Sequence, residues 1–314
     1  MTSTDTPTAR DSRSEASAWP VMVLAHNEER HIVACLDSIF DAEPGRAFDV
    51  FVMANGCSDR TEEIVRDYGK HRPGVHLVSI ALGDKCNAWN VFIHETVPSR
   101  VPGRDVYFFM DGDARAVPGS FGVMANALAA DPRAHSASAV PMSGRSAVRD
   151  RRALLEERVL VANLYSLRGE FVARLHAEGV RIPLKLEGDD GLIGALVKWD
   201  LDPKHNGFDD TRIVPCADAG FVFESMSPWR RSDWRVFWKR AVRYGRRRFE
   251  FQLLGRSLKA RGLAGLPREI TELYEDSNTL SLRWNGLSTL SDWFALRAMR
   301  RNRGAQTTRP LDVR

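Results

Sequence analysis

Long apolar runs and paired cysteines are both missing from this sequence. The longest uninterrupted apolar runs, such as residues 50–54 and 106–110, have about five residues, whereas a membrane-spanning helix needs roughly 20. The four cysteines are widely separated and form no Cys-x-x-Cys pair, which argues against a disulfide framework and against a cysteine zinc site. We therefore expect a cytoplasmic protein whose cysteines stay reduced and serve in packing.

The first 19 residues lack an apolar segment as well. They hold eight Ser or Thr and three acidic residues, which predicts a disordered leader and not a secretion signal. The whole chain of 314 residues is 43% hydrophobic and 27% charged. That composition is typical of a globular protein with a full core.

Short apolar runs alternate with helical patterns between residue 20 and about residue 142. This alternation predicts an α/β fold with a mostly parallel central sheet flanked by helices. We expect strands at residues 21–24, 50–53, 76–80, 106–110 and 138–140. Beyond them, a long helical pattern runs from residue 149 toward 177. Residues 187–198 are expected to form a short loop that leads into another helix, and the chain from about residue 227 is mainly helical and basic.

The loops that leave the carboxyl ends of parallel strands meet at one crevice, where ligands bind. The triplet Asp111-Gly112-Asp113 directly follows the apolar run at residues 106–110. Two carboxylates at this spacing in extended chain point to the same side and can share a divalent cation. The other Asp-x-Asp triplet, at residues 200–202, precedes Pro203 and is expected in a turn. We therefore expect Mg²⁺ or Mn²⁺ at the first triplet, with capping of the next helix by Asp113 as the alternative.

Polar side chains follow other strands at the same edge. Asn27 and Glu28 come after the first strand and Asn55 after the second, and each can contact a polar ligand or stabilise a helix terminus. Farther along, Asp189 and Asp190 crowd a short loop before an apolar helical stretch. Crowding raises the pKa of at least one such carboxyl, which can then accept a hydroxyl proton. An ordinary acidic helix N-terminus is the alternative.

In this order, the segments resemble the family 2 glycosyltransferases with the GT-A fold. Residues 21–29 are similar to the opening strand and donor-binding loop of that family, and residues 52–61 to its second nucleotide-binding loop. Residues 85–90 are similar to its Lys, Ala and Asn segment, Asp111-Gly112-Asp113 to its metal motif, and residues 188–192 to its later acidic motif. The similarity covers roughly residues 20–225.

The resemblance implies the substrates and the central residues of a metal-dependent hexosyltransferase. Its donor would be a nucleoside diphosphate sugar bound by Ala25, Asn27, Glu28, Asn55, Lys85 and Asp111. Mn²⁺ or Mg²⁺ would be held by Asp113 and supported by Asp111. Asp190 takes the position of the catalytic base, with Asp189 close behind, so the transfer to a hydroxyl acceptor is expected to invert the anomeric carbon.

Three further residues are candidates at the edge of the resemblance. Arg243 and Arg246 lie in a basic stretch that is loosely similar to an Arg-rich segment of many members, and would contact the diphosphate or an anionic acceptor. His205 follows the acidic motif and is either a further metal ligand or a surface histidine.

The resemblance also divides the chain into parts. We expect a leader over residues 1–19, a catalytic domain over 20–226 and a basic helical region over 227–314. Within the catalytic domain, residues 20–115 would form the nucleotide-binding half and residues 116–226 the acceptor half. The acceptor would be a glycan, a polysaccharide or a lipid-linked glycan.

Other readings of the sequence stay open. A retaining sugar transferase would share the fold and the metal site, whereas a nucleotidyl transferase would want a glycine-rich loop after the first strand, where this chain has none. Residues 229–256 hold ten basic and two acidic residues, so a module that binds nucleic acid or an anionic membrane surface is an alternative of a different class. We expect no nucleic acid partner, and peripheral contact with the inner face of the membrane fits the same segment.

Overall fold

The computed structural model describes residues 17–144, 147–223, 231–282, 284, 286 and 288–302, and for residues 231–237 it describes the backbone alone. Residues 1–16, which make up most of the expected leader, lie outside this description.

Within the described residues, eight strands form one sheet. They are β1 (Trp19–Ala25), β2 (Phe48–Asn55), β3 (Val75–Ile80), β4 (Val106–Asp111), β5 (Ala114–Ala116), β6 (Ser136–Pro141), β7 (Leu164–Arg168) and β8 (Ile213–Phe223). Their order across the sheet is β3-β2-β1-β4-β7-β6-β8-β5. Only β5 and β7 run against the other strands, which confirms the expected mostly parallel sheet.

Helices cover both faces of this sheet. They are α1 (Ile32–Ala42), α2 (Thr61–His71), α3 (Lys85–Val91), α4 (Val97–Arg100), α5 (Ser120–Ala130), α6 (Ala147–Glu157), α7 (Gly169–Ala177), α8 (Asp189–Lys198), α9 (Arg231–Arg261) and α10 (Ser288–Arg301). A π-helical turn, Phe92–Thr96, joins α3 to α4, and a 3₁₀ helix, Ile270–Thr279, lies between α9 and α10. Among the described residues, no helix is both long enough and apolar enough to cross a membrane.

All five strands expected from apolar runs are present, as β1, β2, β3, β4 and β6. The long helix expected over residues 149–177 is wrong, because β7 interrupts it between α6 and α7. This strand pairs antiparallel with β4 on one side and with β6 on the other. Hydrogen bonding to β4 and β6 therefore makes this segment a strand, although its sequence pattern is helical.

The two faces of the sheet carry two separate hydrophobic cores, because alternate side chains of each buried strand point to opposite sides. In β1, Val21 and Val23 join the core under α1, α2 and α5, whereas Met22 joins the core on the other face. In β4, Phe108 and Phe109 divide in the same way. Both faces are therefore fully covered, as the continuous apolar run of each strand requires.

Helix α9 contributes to the second of these cores. Leu253, Leu254 and Leu258 are almost completely buried and belong to the same cluster as Met22 of β1 and Leu192 of α8. The amino-terminal half of α9 thereby lies along the edge of the sheet at which the parallel strands end.

The close approach at the start of α7 can be tested by substitution. A Cβ on Gly169 would overlap the carbonyl oxygen of Arg104, while the Gly169 N–H donates to Asp105 O at 2.7 Å. Since backbone on both sides must shift, we expect Gly169→Ala to lower the free energy of unfolding by about 1–3 kcal/mol. Urea unfolding followed by circular dichroism measures this loss.

The matched control for this prediction is Gly255→Ala in α9. No atom lies within 4 Å of a Cβ placed there, so the substitution should raise stability by up to about 1 kcal/mol through helix propensity. Equal effects of the two substitutions would contradict the predicted overlap at Gly169.

Candidate active site

A crevice of about 850 Å³ lies where the carboxyl ends of β1, β2 and β4 meet the start of α8 and one face of α9. Among the described residues that line it, seven are acidic and six are Lys or Arg. The register explains this convergence, since Ala25 at the end of β1 lies opposite Ala54 of β2, and Leu24 lies opposite Asp111 of β4. The crevice is the place where ligands are expected in an open parallel sheet.

Asp111 and Asp113 line one side of the crevice. Asp111 ends β4, and Gly112 donates its N–H to Leu24 O at 2.8 Å. A Cβ on Gly112 would lie 2.9 Å from that same oxygen, so glycine is needed for the turn to pack against β1. Burial raises the pKa of Asp113, and the neighbouring Asp111 carboxylate raises it further. The backbone thus holds two mutually repelling carboxylates side by side.

Lys85 connects this pair of acids to the start of α8. Its Nζ lies 3.1 Å from Asp111 Oδ1 and 3.6 Å from Asp189 Oδ1. Burial alone would lower the pKa of Lys85, but Asp111 and Asp189 outweigh it and raise that pKa. Asp84 accepts a hydrogen bond from Asn87 N at 3.0 Å and so fixes the first turn of α3, from which Lys85 projects.

Glu28, in the loop after β1, adds a further carboxylate to the same side. Burial raises the pKa of Glu28, and the hydrogen bond with His31, 2.9 Å long, offsets part of this effect. The repulsion from Asp113 and Asp111 also raises it. Glu28 therefore belongs electrostatically to the acidic side formed by Asp111 and Asp113.

The predicted donor-binding residues fall into two groups. Glu28, Asn55, Lys85 and Asp111 line the crevice, but Ala25 and Asn27 do not. Ala25 is fully buried beneath the loop, and the side chain of Asn27 turns away to accept hydrogen bonds from Ser58 N at 2.7 Å and from Asp59 N at 3.3 Å.

Asn55 is the best placed of the neutral candidates. Its Oδ1 accepts from Asp84 N at 2.8 Å, and its carbonyl oxygen lies 2.6 Å from His26 Nδ1. Its Nδ2 makes no hydrogen bond with any described residue. The amide is therefore held in a fixed orientation with its donors available to a ligand.

Asp189 and Asp190 are the first two residues of α8. Asp189 is buried, which raises its pKa, and the ammonium of Lys85 only partly offsets this. Asp190 Oδ1 accepts from Gly191 N at 2.9 Å and lies 3.0 Å from Arg247 Nη2. In the described part of the chain, Asp190 Oδ2 makes no hydrogen bond, so it remains available to accept one.

Two glycines make room for Arg247 beside Asp190. Gly188 has a φ of +92°, and a Cβ there would collide with the Arg247 guanidinium. A Cβ on Gly191 would lie 2.9 Å from Arg247 Nη2 and 2.7 Å from Phe251 Cζ. The glycines that flank the acidic motif are therefore explained by the side chain that lies across it.

Helix α9 supplies the basic side of the crevice. Arg240, Arg243, Arg246 and Arg247 all line it. Arg246 forms a close ion pair with Glu187, and Arg243 Nε lies 3.8 Å from the other oxygen of that carboxylate. Arg243 and Arg246 are among the residues predicted from the sequence, whereas Arg240 and Arg247 are not. The signal was the spacing of positions 240, 243 and 247, which place their side chains on one face of a helix.

His205 lies outside the crevice. It follows α8, is exposed, and its Nδ1 lies 3.0 Å from Asp202. Asp189 begins α8, and ten residues of helix span about 15 Å. This placement does not favour His205 as a metal ligand, since it stands beyond the opposite end of that helix.

The buried carboxylate of Glu250 joins α9 to the loop that carries the acidic motif. Glu250 is fully buried, accepts from Tyr274 OH at 2.5 Å and accepts from Glu187 N at 3.0 Å. Burial raises the pKa of Glu250 to about 7, even though the hydrogen bond with Tyr274 and the charge of Arg246 oppose the shift. This residue therefore ties together α9, the loop before α8 and the 3₁₀ helix Ile270–Thr279.

The acidic side of the crevice suits a hard cation that is shared with a ligand. In the described part of the chain, no group of three or more His, Cys, Asp or Glu side chains is arranged to hold a metal ion. The chain would therefore offer a cation mainly Asp113 and Asp111. Mg²⁺ and similar ions are commonly bound in this way, by one or two carboxylates together with substrate phosphates and water.

The chain is similar in sequence and in fold to known proteins. The model of the family described as glycosyl transferase family 2 matches residues 21–183. The mannosyltransferase PcManGT from Pyrobaculum calidifontis, solved in complex with GDP-Man and Mn²⁺, is 17% identical and has a TM-score of 0.55, with 89% of this chain and 79% of that chain covered. This likeness confirms the expected GT-A type fold with its helical C-terminal region.

Two other solved structures are similar at lower TM-scores. Glucosyl-3-phosphoglycerate synthase from Mycobacterium tuberculosis is 18% identical over 67% of this chain and 72% of its own, with a TM-score of 0.45. TarS 1–349 from S. aureus is 12% identical over 86% of this chain and 94% of its own, with a TM-score of 0.48. A comparison with curated protein sequences finds no match.

The buried position of Glu250 predicts a pH dependence of stability. Its pKa is about 7 in the folded chain against an ordinary value of 4.5, so the folded state keeps a proton that the unfolded state loses. Stability should therefore fall as the pH rises from about 4.5 to about 7, by up to about 3 kcal/mol from this group. Urea unfolding at pH 5 and pH 7 measures the fall.

In Glu250→Gln, this contribution should disappear, so the fall between the two pH values becomes smaller than in the wild type. Glu275→Gln, which removes an exposed carboxylate, should leave it unchanged. The same fall in wild type and Glu250→Gln would contradict the assignment.

Proposed function

Because the chain belongs to glycosyl transferase family 2, we propose that it transfers a sugar from a nucleoside diphosphate sugar to a hydroxyl group of an acceptor. The observation that carries this proposal is that the Asp111-Gly112-Asp113 motif and the Asp189-Asp190 motif line one crevice. The ammonium group of Lys85 lies between Asp111 and Asp189 and so links the two motifs.

The donor would lie along the carboxyl ends of β1, β2 and β4. Asn55 offers its free amide donors to the nucleoside, and Glu28 offers a carboxylate beside it. Lys85 brings a positive charge within reach of the diphosphate. This orientation of the donor is supported by the polar side chains that follow both strands, Glu28 after β1 and Asn55 at the end of β2.

The metal would be Mn²⁺ or Mg²⁺, held by Asp113 and Asp111. These two side chains supply the oxygen ligands that such ions prefer, and the repulsion between them, which raises the pKa of Asp113, is relieved by a cation. When bound, the ion would stabilise the negative charge that develops on the leaving diphosphate.

Asp190 is the proposed catalytic base. Its Oδ2 makes no hydrogen bond in the described part of the chain, whereas Oδ1 is held by Gly191 N and Arg247. Oδ2 would accept the proton of the acceptor hydroxyl. At the same time the hydroxyl oxygen forms a bond to the anomeric carbon, and the bond between that carbon and the diphosphate breaks. A single displacement of this kind inverts the anomeric carbon. A retaining transferase is the alternative, and the anomeric configuration of the product, read by NMR, distinguishes the two.

A module that binds nucleic acid or a membrane surface remains the alternative of a different class. The position of the basic segment argues against this alternative, since Arg243, Arg246 and Arg247 pair with acids of the crevice. Exposed rings of Trp293 and Phe294 on α10 favour an additional peripheral contact with an anionic membrane surface. Co-sedimentation with phosphatidylglycerol vesicles tests that contact, and no binding at low salt would exclude it.

The proposed function predicts metal-dependent release of nucleoside diphosphate from a nucleotide sugar. Asp113→Asn and Asp190→Asn should each lower the turnover about 100-fold or more, because one would weaken metal binding and the other removes the base. Asp202→Asn is the matched control, since Asp202 belongs to the other Asp-x-Asp triplet and lies outside the crevice. Unchanged turnover in both Asp113→Asn and Asp190→Asn would refute this mechanism.

The donor nucleotide can be identified before the acceptor is known. Binding to the folded state alone raises stability by about 2.7 kcal/mol at a concentration of 100 times Kd. We therefore expect the matching nucleoside diphosphate to raise the melting temperature when Mn²⁺ is present, and Asp113→Asn to abolish the increase. If no nucleoside diphosphate stabilises the wild-type protein, the proposed function is wrong.

A further inference from the structure

The charges of the crevice are separated into two sides. Glu28, Asp111 and Asp113 lie on the sheet side, where Lys85 Nζ lies 3.1 Å from Asp111 Oδ1. Opposite them, α9 presents arginines at positions 240, 243, 246 and 247. Asp190, at the start of α8, lies between the two sides and is touched by Arg247.

On the basic side of the crevice, the arginines outnumber the carboxylates that pair with them. Of the crevice-lining acids, Glu187 pairs with Arg246 and more loosely with Arg243, and Asp190 pairs with Arg247. The buried Glu250 also lies 3.7 Å from Arg246 Nε, so three carboxylates face four guanidinium groups. Both Arg243 and Arg240 are exposed, the former with 64% of its side chain accessible.

Arg240 has no carboxylate partner in the described part of the chain. Its Nε donates to Tyr244 OH at 3.0 Å, and its guanidinium lies 5.5 Å from the centre of the Tyr244 ring. Because that hydroxyl accepts from Arg240, its own proton is free to be donated. Arg240, Arg243 and Tyr244 therefore form a group of donors that faces the crevice, and among the described residues their one carboxylate contact is the loose pair of Arg243 with Glu187, 3.8 Å long.

The spacing along α9 gives the separation of these residues from Arg247, the arginine that contacts Asp190. Arg243 is about 6 Å and Arg240 about 10 Å along the helix axis from Arg247, at 1.5 Å per residue, and Arg247 contacts Asp190. A ligand whose hydroxyl reaches Asp190 would thus bring an anionic group to these arginines if the two lay about 6–10 Å apart. The diphosphate of the donor is already provided for on the other side, by Lys85 and the proposed cation.

We propose that Arg240, Arg243 and Tyr244 form an acceptor subsite for a phosphate or carboxylate group, so that the acceptor is an anionic hydroxyl compound and not a neutral one. This inference rests on the proposed function, because it takes Asp190 as the position of the reacting hydroxyl. Guanidinium groups bind phosphate and carboxylate through paired hydrogen bonds, which a neutral hydroxyl compound cannot reproduce.

The test is calorimetric binding to the full chain with Mn²⁺ and a saturating nucleoside diphosphate, so that the donor position is filled. The anionic probes are glucose 6-phosphate, glucuronate and glycerol 3-phosphate, and the neutral probes are glucose and glycerol. We expect at least one anionic probe to bind tenfold or more tightly than its neutral counterpart. Equal binding of anionic and neutral probes, or no binding of either, would overturn the inference.

Substitutions on α9 show which side chains bind the anionic group. Arg240→Gln/Arg243→Gln should weaken binding of the anionic probe tenfold or more and leave that of the nucleoside diphosphate unchanged. Lys239→Gln is the matched control, because Lys239 is an exposed cation on the same helix that does not line the crevice. A tenfold loss of nucleoside diphosphate binding in the double variant would instead assign these arginines to the donor and overturn the inference.

A further arm separates a soluble phosphate from a lipid headgroup. If the double variant loses binding to phosphatidylglycerol vesicles and the soluble probes bind no better than the neutral ones, the inference for an acceptor subsite fails and the arginines contact a membrane. If the wild-type protein binds no nucleoside diphosphate at all, the proposed function fails first. The two failures are therefore distinguishable.

Discussion

The ammonium group of Lys85 lies between the carboxylates of Asp111 and Asp189, and the geometry of the crevice depends on this contact. Burial raises the pKa of Asp189 and of Asp113, so acids packed this closely would otherwise take up protons or move apart. Lys85 opposes the repulsion between the two acidic segments that its ammonium group bridges. The end of β4 and the start of α8 can therefore stay close together, linked through this ammonium group.

How far the fold follows from the sequence depends on whether each element is specified locally. Strands β1, β2 and β4 are apolar on both faces, and their sequences alone predict them. Strand β7 is not specified in this way, because Leu164–Arg168 is short and sits within a helical pattern. It becomes a strand because β4 and β6 bond to it on both sides. Strand β8 contains Pro215 and Gly220 and pairs with β6 across a shift in register, which no local pattern indicates.

The candidate site divides in the same way. The acids could be predicted, since Asp111 and Asp113 follow a recognisable strand and Asp189 and Asp190 precede a recognisable helix. Asn27 lies in the loop after β1, but its side chain accepts hydrogen bonds from the neighbouring loop and does not line the crevice. The role of Arg247 could not be read from sequence, because it depends on contact with a motif far away in the chain.

Helix α9 is what makes the acidic motif and the basic side one site. Its carboxyl-terminal half is fixed by Leu253, Leu254 and Leu258 in the core beside the sheet, and Glu250 bonds to the backbone of Glu187. Because a helix is stiff, these contacts also determine the positions of Arg247 and Arg243, which lie about one and two turns before Glu250. A shift of α9 would separate Arg247 from Asp190 and free the carboxylate to turn. The packing of this helix therefore sets the orientation of the proposed base as well as the distance between that base and the side chains of Arg240 and Arg243.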